Sequence, residues 1–300
     1  MAHIDLSNLL SSLPGEVLTE EPLSRHTSFR VGGPAEIFVR PKTTEEIIQI
    51  RETCCKNNIP ITILGDGTNV LVADAGLKGV VICTNRMNEI EVYENGSIRA
   101  QAGARLSRVA EMACRSCLTG FEFASGIPGT VGGAVYMNAG AYGHDIGEFC
   151  ESVILFDNCI IKRSGAEMEF GYRKSFVQQN DVLILEALFK LKHGNENDIR
   201  EKMNELNAKR RASQPVDIPS AGSTFKRPPG FYAGKLVQDS GFKGFSIGGA
   251  QVSEKHAGFV VNKGNATAQN IFDLIQAVRK GVHEKFDVWL TPEVRLLGFE

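Results

Sequence analysis

The chain of 300 residues contains no apolar run near the roughly 20 residues needed to span a bilayer. Its opening, MAHIDLSNLLSSLPGEV, lacks the basic head and apolar middle of a secretory leader, so a cytoplasmic location is expected. Cysteine is present, but as an odd number of seven scattered residues, which is no disulfide framework and implies reduced thiols. Cys114 and Cys117 have redox or half-zinc spacing, yet no second pair matches them, and thiols three apart on an amphipathic helix pack into a core. There is no HExxH, and the histidines show no ligand spacing, so no metal is expected. A net charge of −2 gives no general attraction to nucleic acid or an anionic membrane. Any polyanionic ligand therefore needs a local basic cluster. No GxSxG elbow argues for a hydrolase, and no internal repeat or low-complexity segment is found.

Glycine, by contrast, is concentrated. It crowds two stretches, LGDGTNVLV (Leu64 to Val72) and SGIPGTVGGAVYMNAGAYG (Ser125 to Gly143). Backbone N–H groups in such turns approach a bound anion without side chains in the way. Two of them suggest one large ligand bearing a diphosphate. The first stretch also reads as a tight hairpin turn. It is not a Rossmann fingerprint, because Val70 takes the third glycine position and LVAD continues as strand rather than helix.

Elsewhere the pattern is α+β. AEIFVRP reads as a strand, and Thr43 caps a helix running to about Asn58. ITIL, GVVICT, IEVYE and SIRAQAG are short strands, and ARLSRVAEMACRSCL is an amphipathic helix. ESVILFD, CIIKRS and DVLILEALFKLK read as antiparallel strands beyond the second glycine stretch. The polar run HGNEND suggests a domain boundary, giving expected segments of 1–28 (adaptor, with a helix from Ile4 to Ser12), 29–195 and 196–300. The last third reads as a helix from Asp198 to Ser213, a short helix near Ala233, the strand HAGFVVN, a helix from Thr267 to about Phe286, and the strand PEVRLLG.

Several polar residues stand out. Ser223, in AGSTFKRP, is a helix cap, a proton donor or a nucleophile. Arg173, in GYRKS, taken alone reads as solvated surface. Glu293 and Arg295 share one face of the last strand, which suits a simple ion pair. Lys209, Arg210 and Arg211 end a helix, where cations favour the dipole, or else bind a diphosphate.

Together, TSFRVGGPAE, LGDGTNVLV, GIPGTVGGAVYMNAGAYG, GYRKS, AGSTFKRP, AGKLVQDSGFKGFSIGGAQVSEKHAGFVVN and VWLTPEVRLLG resemble the UDP-N-acetylenolpyruvoylglucosamine reductase family, in the family's order and over Phe29 to Gly298. With no insertion before the last third, the chain is similar to the family's shorter form, which lacks a tyrosine-bearing loop that closes over substrate. The resemblance implies an FAD-binding lobe of the vanillyl-alcohol-oxidase type, in two α+β subdomains at 29–195, and a substrate-binding α+β lobe at 196–300. It places FAD on Leu64, Gly65, Asp66, Gly67, Thr68, Asn69 and Val70. It also places FAD on Ser125, Gly126, Ile127, Pro128, Gly129, Thr130, Gly132, Gly133 and Ala134, and on Asn138, Gly140 and Ala141. The first stretch holds neither histidine nor cysteine, so a dissociable flavin is expected, with His26 as an alternative covalent anchor.

The resemblance further implies NADPH-dependent reduction of UDP-N-acetylglucosamine enolpyruvate to UDP-N-acetylmuramate, with hydride passing through flavin N5 to the methylene carbon. Ser223 is then the proton donor, and Arg173 and Glu293 support the developing enolate. Lys226 and Arg227 stabilise the serine alkoxide, Arg211 binds the UDP diphosphate, and Tyr142, Tyr232 and Gln251 line the cleft. No protein partner is implied. The competing readings are a sugar or lactone oxidase of the same superfamily and a non-catalytic binder of flavin or nucleotide sugar.

Overall fold

The computed structural model describes residues 6–299. Backbone contacts divide the chain into two compact units: Met1–Thr19, Ile37–Asp66 and Gly79–Ala208 form the first, while Glu20–Glu36, Gly67–Lys78 and Lys209–Glu300 form the second. This division falls elsewhere than the expected segments of 1–28, 29–195 and 196–300, for reasons of packing given below.

In the first unit, helix α1 (Leu6–Ser12) matches the expected N-terminal helix, whose Ile4 and Asp5 lie outside the described residues. Helix α2 (Thr44–Lys56) begins where Thr43 accepts the Glu46 N–H, and it buries Ile47, Ile50 and Cys54. These pack against a four-stranded sheet ordered Glu16–Pro22, Pro34–Arg40, Leu77–Cys83 and Ile61–Leu64, the last pair parallel. A five-stranded antiparallel sheet follows, ordered Cys159–Ser164, Cys150–Asp157, Leu183–Lys190, Ser97–Gln101 and Ile90–Val92. Its Val153, Leu155, Ala187 and Phe189 meet helix α3 (Leu106–Arg115) and helix α4 (Val131–Met137) in the largest core. Phe156, Leu183 and Leu185 join the core around α2 instead. The first unit thus has two apolar centres.

Helix α4 lies inside a stretch read from sequence as glycine turns. Thr130 caps it by accepting the Gly133 N–H, Val131, Ala134 and Val135 are buried at helical spacing, and Asn138 ends it in the left-handed conformation. Helix α5 (Glu196–Ser213) buries Ile199, Met203 and Leu206 in the core that contains α3. That face keeps α5 with the first unit as far as Ala208, beyond the polar run at His193 to Asp198. Arg200 on α5 makes a two-pronged pair with Glu111 on α3, its Nη2 lying 2.9 Å from Oε1.

The second unit centres on helix α7 (Ala268–Phe286), with helix α6 (Ala233–Asp239) against it. Ile271, Leu274, Ile275, Val278 and Val282 form its buried stripe. They meet Phe29, Val31, Leu71, Leu290 and Val294, so this core draws on both ends of the chain. A three-stranded sheet (Ser246–Ile247, Ala250–Val252, Val260–Asn262) and a parallel pair (Val70–Val72 with Arg295–Leu297) complete it. The strand at Val70 removes the helix that a Rossmann turn requires. At the start of α7, Thr267 and Asn270 form a capping box, while Asp74 accepts the N–H groups of Ala268 and Gln269 at 2.9 and 3.0 Å.

All seven cysteines are free thiols. Cys114 is buried as expected, but Cys117 is exposed just past α3 with φ of 55°, so the two do not share the core face assigned to them. Among the described residues no helix is long and apolar enough to cross a membrane.

Two stability predictions arise here. Replacing Asp74 with Ala removes a carboxylate from the positive end of α7 and should cost about 1 kcal/mol in urea unfolding, Asp74→Asn costing less because one oxygen acceptor remains. The Arg200 and Arg115 guanidinium groups hold the Glu111 carboxyl down at about 2. A carboxyl depressed in the folded state stabilises fully above its ordinary value near 4.5, and that contribution fades as pH falls through about 2. Glu111→Gln should therefore flatten the loss of stability between those pH values while lowering stability at pH 7, as read by urea melts across the range.

Candidate active site

In the first unit the two glycine stretches meet directly. A Cβ at Gly65 would lie 2.4 Å from Thr130 Oγ1, so glycine is required for the strand ending at Leu64 to pass this close to the α4 cap. The Leu64 and Gly65 carbonyls accept from the Thr84 hydroxyl and the Cys83 thiol, which fixes the turn from below. Burial pushes the Cys83 thiol above its ordinary range, so it stays protonated as a donor. Around α4, the Val131 and Gly132 N–H groups donate to the Ala104 and Ala102 carbonyls, and Gly133 donates to Thr130. Those three N–H groups bond protein to protein. A Cβ at Gly133 would meet nothing nearer than Thr130 Oγ1 at 3.7 Å, so this exposed turn presents bare backbone outward.

One cation here was passed over in the sequence. Arg105 precedes α3, its backbone bridges to Thr130, and its exposed guanidinium donates to Asp66 at 3.2 Å. It thus stands beside both glycine stretches. A positive side chain at a helix start opposes the dipole, and that mismatch was the available signal for an acidic or anionic neighbour.

Beyond α4 the chain makes a second cluster. Asn138 is buried; its side-chain amide donates to the Gly171 carbonyl at 3.0 Å and its oxygen accepts the Gly147 N–H at 2.8 Å. Arg173 has φ of 54° and donates to the Asn138 and Gly140 carbonyls at 3.4 and 3.3 Å. The predicted cation and the second glycine stretch are therefore in contact. Tyr142 is exposed, and its hydroxyl donates to the Leu206 carbonyl on α5. Ser125 accepts from Asn207 and donates to the Glu122 carbonyl.

The second unit holds the rest of the first stretch. Gly67 has φ of 62° and lies so near the His26 carbonyl that a Cβ would sit 2.0 Å away. The His26 ring itself engages Glu21 at 3.0 Å. Asn69 donates to the Glu293 carbonyl at 3.1 Å and accepts the Arg295 N–H at 2.9 Å. Glu293 in turn donates its N–H to the Thr224 carbonyl at 2.8 Å, and Phe225 bridges Pro292. The segments bearing Ser223 and Glu293, 70 positions apart in sequence, are thus paired through Thr224 and Phe225, and Asn69 of the first glycine stretch bonds the Glu293 segment. Val294 is buried while Glu293 is half-buried, as period two requires.

Ser223 is exposed and follows Gly222, whose φ is 73° with no atom within 4 Å of a built Cβ. It caps no helix, and the turn is held by Thr224, whose N–H donates to the Gly258 carbonyl and whose hydroxyl accepts from Val260. Behind it His256 Nδ1 accepts the Gly258 N–H at 3.0 Å. Burial lowers the His256 imidazole below its ordinary value, which keeps it the neutral acceptor this contact needs. The sequence reading left His256 unremarked inside SEKHAGFVVN. Lys226 donates its N–H to Thr291, and Arg227 lies 3.9 Å over the Tyr232 ring. Gln251 bonds the Gly244 carbonyl, and the Arg211 carbonyl accepts from the Lys255 ammonium, so these two sit at other turns of the unit. Among the described residues no group of three metal-ligating side chains converges.

Comparison with known proteins matches two stretches to family models. Residues 214–297 match the UDP-N-acetylenolpyruvoylglucosamine reductase C-terminal domain, and residues 35–158 match an FAD binding domain. UDP-N-acetylenolpyruvoylglucosamine reductase of Caldanaerobacter subterraneus subsp. tengcongensis is 48% identical over 301 residues, covering 99% of each chain. That of Clostridium perfringens is 49% identical over 285 residues, covering 94% of this chain and 93% of its own. The crystal structure of UDP-N-acetylenolpyruvylglucosamine reductase from Thermus caldophilus is similar with a TM-score of 0.80 at 32% identity, covering 95% of this chain and 99% of that one. With that identity carried along almost its whole length, and with an α+β fold that includes an FAD-binding domain, the chain belongs to the UDP-N-acetylenolpyruvoylglucosamine reductase family.

Proposed function

We propose that the protein reduces UDP-N-acetylglucosamine enolpyruvate to UDP-N-acetylmuramate, a precursor of peptidoglycan, with NADPH as electron donor and dissociable FAD as carrier. The observation that carries this reading is the pairing of the Ser223 turn with the Glu293 segment, itself bonded to Asn69 of a glycine stretch. Three segments far apart in sequence, carrying Asn69, Ser223 and Glu293, are joined by these bonds, in a chain whose relatives bear the reductase name over nearly their full length.

The residues present suit FAD. The bare backbone at Gly133, the close passage of Gly65 by Thr130 and the cation of Arg105 beside both would accommodate a diphosphate-bearing nucleotide. The first unit, which carries most of the matched FAD-binding stretch, is the flavin lobe in this reading, and the second unit handles substrate. When bound, FAD would take a hydride equivalent from NADPH and pass it to the enolpyruvyl double bond.

Each chain residue then has a task set by its chemistry. Reduction of the enolpyruvyl group leaves negative charge on the substrate carboxylate, and Arg173, permanently charged and anchored on two carbonyls, offers a fixed cation to it. The carbon next to that carboxylate must gain a proton, and the Ser223 hydroxyl supplies it from an exposed turn held rigid by Thr224. Lys226 and Arg227, on the same segment, lower the cost of the serine alkoxide. Glu293 orients the Ser223 turn through its backbone and hydrogen-bonds the intermediate through its carboxyl group. Arg211, at the end of α5, contributes positive charge for the UDP diphosphate, while Tyr142, Tyr232 and Gln251 contact the sugar nucleotide.

The purified protein should be yellow, and acid precipitation should release the chromophore into the supernatant; a colourless protein that takes up no FAD refutes the reading. Ser223→Ala should leave NADPH-driven bleaching of the flavin intact while slowing its reoxidation by substrate by about 100-fold or more. Equal slowing of both half-reactions would remove the role given to that serine. Rapid reoxidation in air with no response to the enolpyruvyl nucleotide would instead indicate the sugar or lactone oxidase.

A further inference from the structure

The geometry points to Gln178 as a positioning residue for Arg173, an inference that rests on the role proposed for that arginine. Helix α4 ends at Met137, where the last-turn carbonyls have no partner within the helix. The Tyr136 carbonyl receives two side-chain donors from one later segment: Ser175 Oγ at 2.7 Å and Gln178 Nε2 at 2.6 Å. The same Gln178 nitrogen donates to the Arg173 carbonyl at 3.1 Å. A primary amide carries two N–H groups on that nitrogen, and the two carbonyls are its near acceptors, with Met137 Sδ farther off at 4.0 Å. One atom therefore ties the backbone of Arg173 to the end of α4.

That tie falls where the backbone needs it. Arg173 sits at φ of 54°, a conformation that L side chains with a full Cβ avoid. The turn around it is closed by reciprocal bonds between Gly171 and Lys174, each 3.1 Å. Asn138 fastens the turn at Gly171, and Ser175, fully buried, fastens its exit. Gln178 alone among these three side chains bonds Arg173 itself. The guanidinium group then lies along the Asn138 and Gly140 carbonyls because both the backbone and the side chain of Arg173 are referred to one structure, the C-terminal end of α4. Removing the Gln178 donors breaks this tie to the Arg173 carbonyl and allows the turn to relax toward ordinary φ. The charged group would then swing away from where the enolate forms, and a misplacement near 1 Å costs about 100-fold in rate.

The test uses the FAD-loaded protein and two variants, Gln178→Met, which keeps the volume and removes the donors, and Gln178→Ala. Flavin reduction by NADPH should stay within about twofold of the parent, while reoxidation by the enolpyruvyl nucleotide should slow by about 10- to 100-fold. In an Arg173→Ala background, Gln178→Met should add less than about twofold, because two residues acting through one group are not additive. Hydrogen exchange, which needs no turnover, should show the Lys174 amide exchanging at least about tenfold faster in both variants, with global melting little changed. Multiplicative effects in the double variant, equal slowing of both half-reactions, or an unchanged Lys174 amide would each overturn the inference. If Arg173→Ala alone reoxidises at the parent rate, the role proposed for the arginine fails, and the positioning role falls with it. If Arg173→Ala is slow and Gln178→Met is not, only the positioning role is lost.

Discussion

The peptide backbone of Glu293 is the junction on which the second unit depends. Its carbonyl takes the Asn69 amide and its N–H gives to Thr224, so three segments well separated along the chain share one residue. Pairing backbone groups with distant segments rather than neighbours fixes tertiary position as well as local shape. Everything exposed on the Ser223 turn inherits its placement from this junction and from the Thr224 hydroxyl below it.

Most of the elements were legible because their hydrophobic periods were clean. The four-residue apolar run at Ile61, the Thr43 cap and the α7 stripe lie where the pattern put them. Helix α4 was not legible, since Gly132 and Gly133 dominate the local preference while only Val131, Ala134 and Val135 carry helical spacing. Its stability comes from burial against the five-stranded sheet, a tertiary effect invisible in a window of seven residues. At His193 polarity marks a loop, whereas the apolar face of α5 decides which core that helix joins.

The candidate residues divide in the same way. Arg173, Ser223 and Glu293 were chosen by resemblance; in the structure Arg173 bonds two carbonyls, Glu293 bonds Asn69 and Thr224 through its backbone, and Ser223 is exposed beside Thr224. The glycines were read as room for a ligand, but several make room for the protein's own chain, Gly65 for Thr130 and Gly67 for the His26 carbonyl. Glycine content records close approach without saying what approaches. Arg105 and His256 escaped notice because a lone charged or aromatic residue has no period, and only its spatial neighbours show what it does.

The second unit's core contains Phe29, Val31 and Leu71 together with Leu290 and Val294, and the α7 start is closed by Asp74. During synthesis the early members of that core leave the ribosome long before their late partners exist. Until α7 has been translated, those apolar side chains lack most of the core they bury against. The first unit can complete once α5 has emerged, so a nascent chain would hold one finished lobe and one exposed set of apolar residues, the state in which a chaperone is most useful.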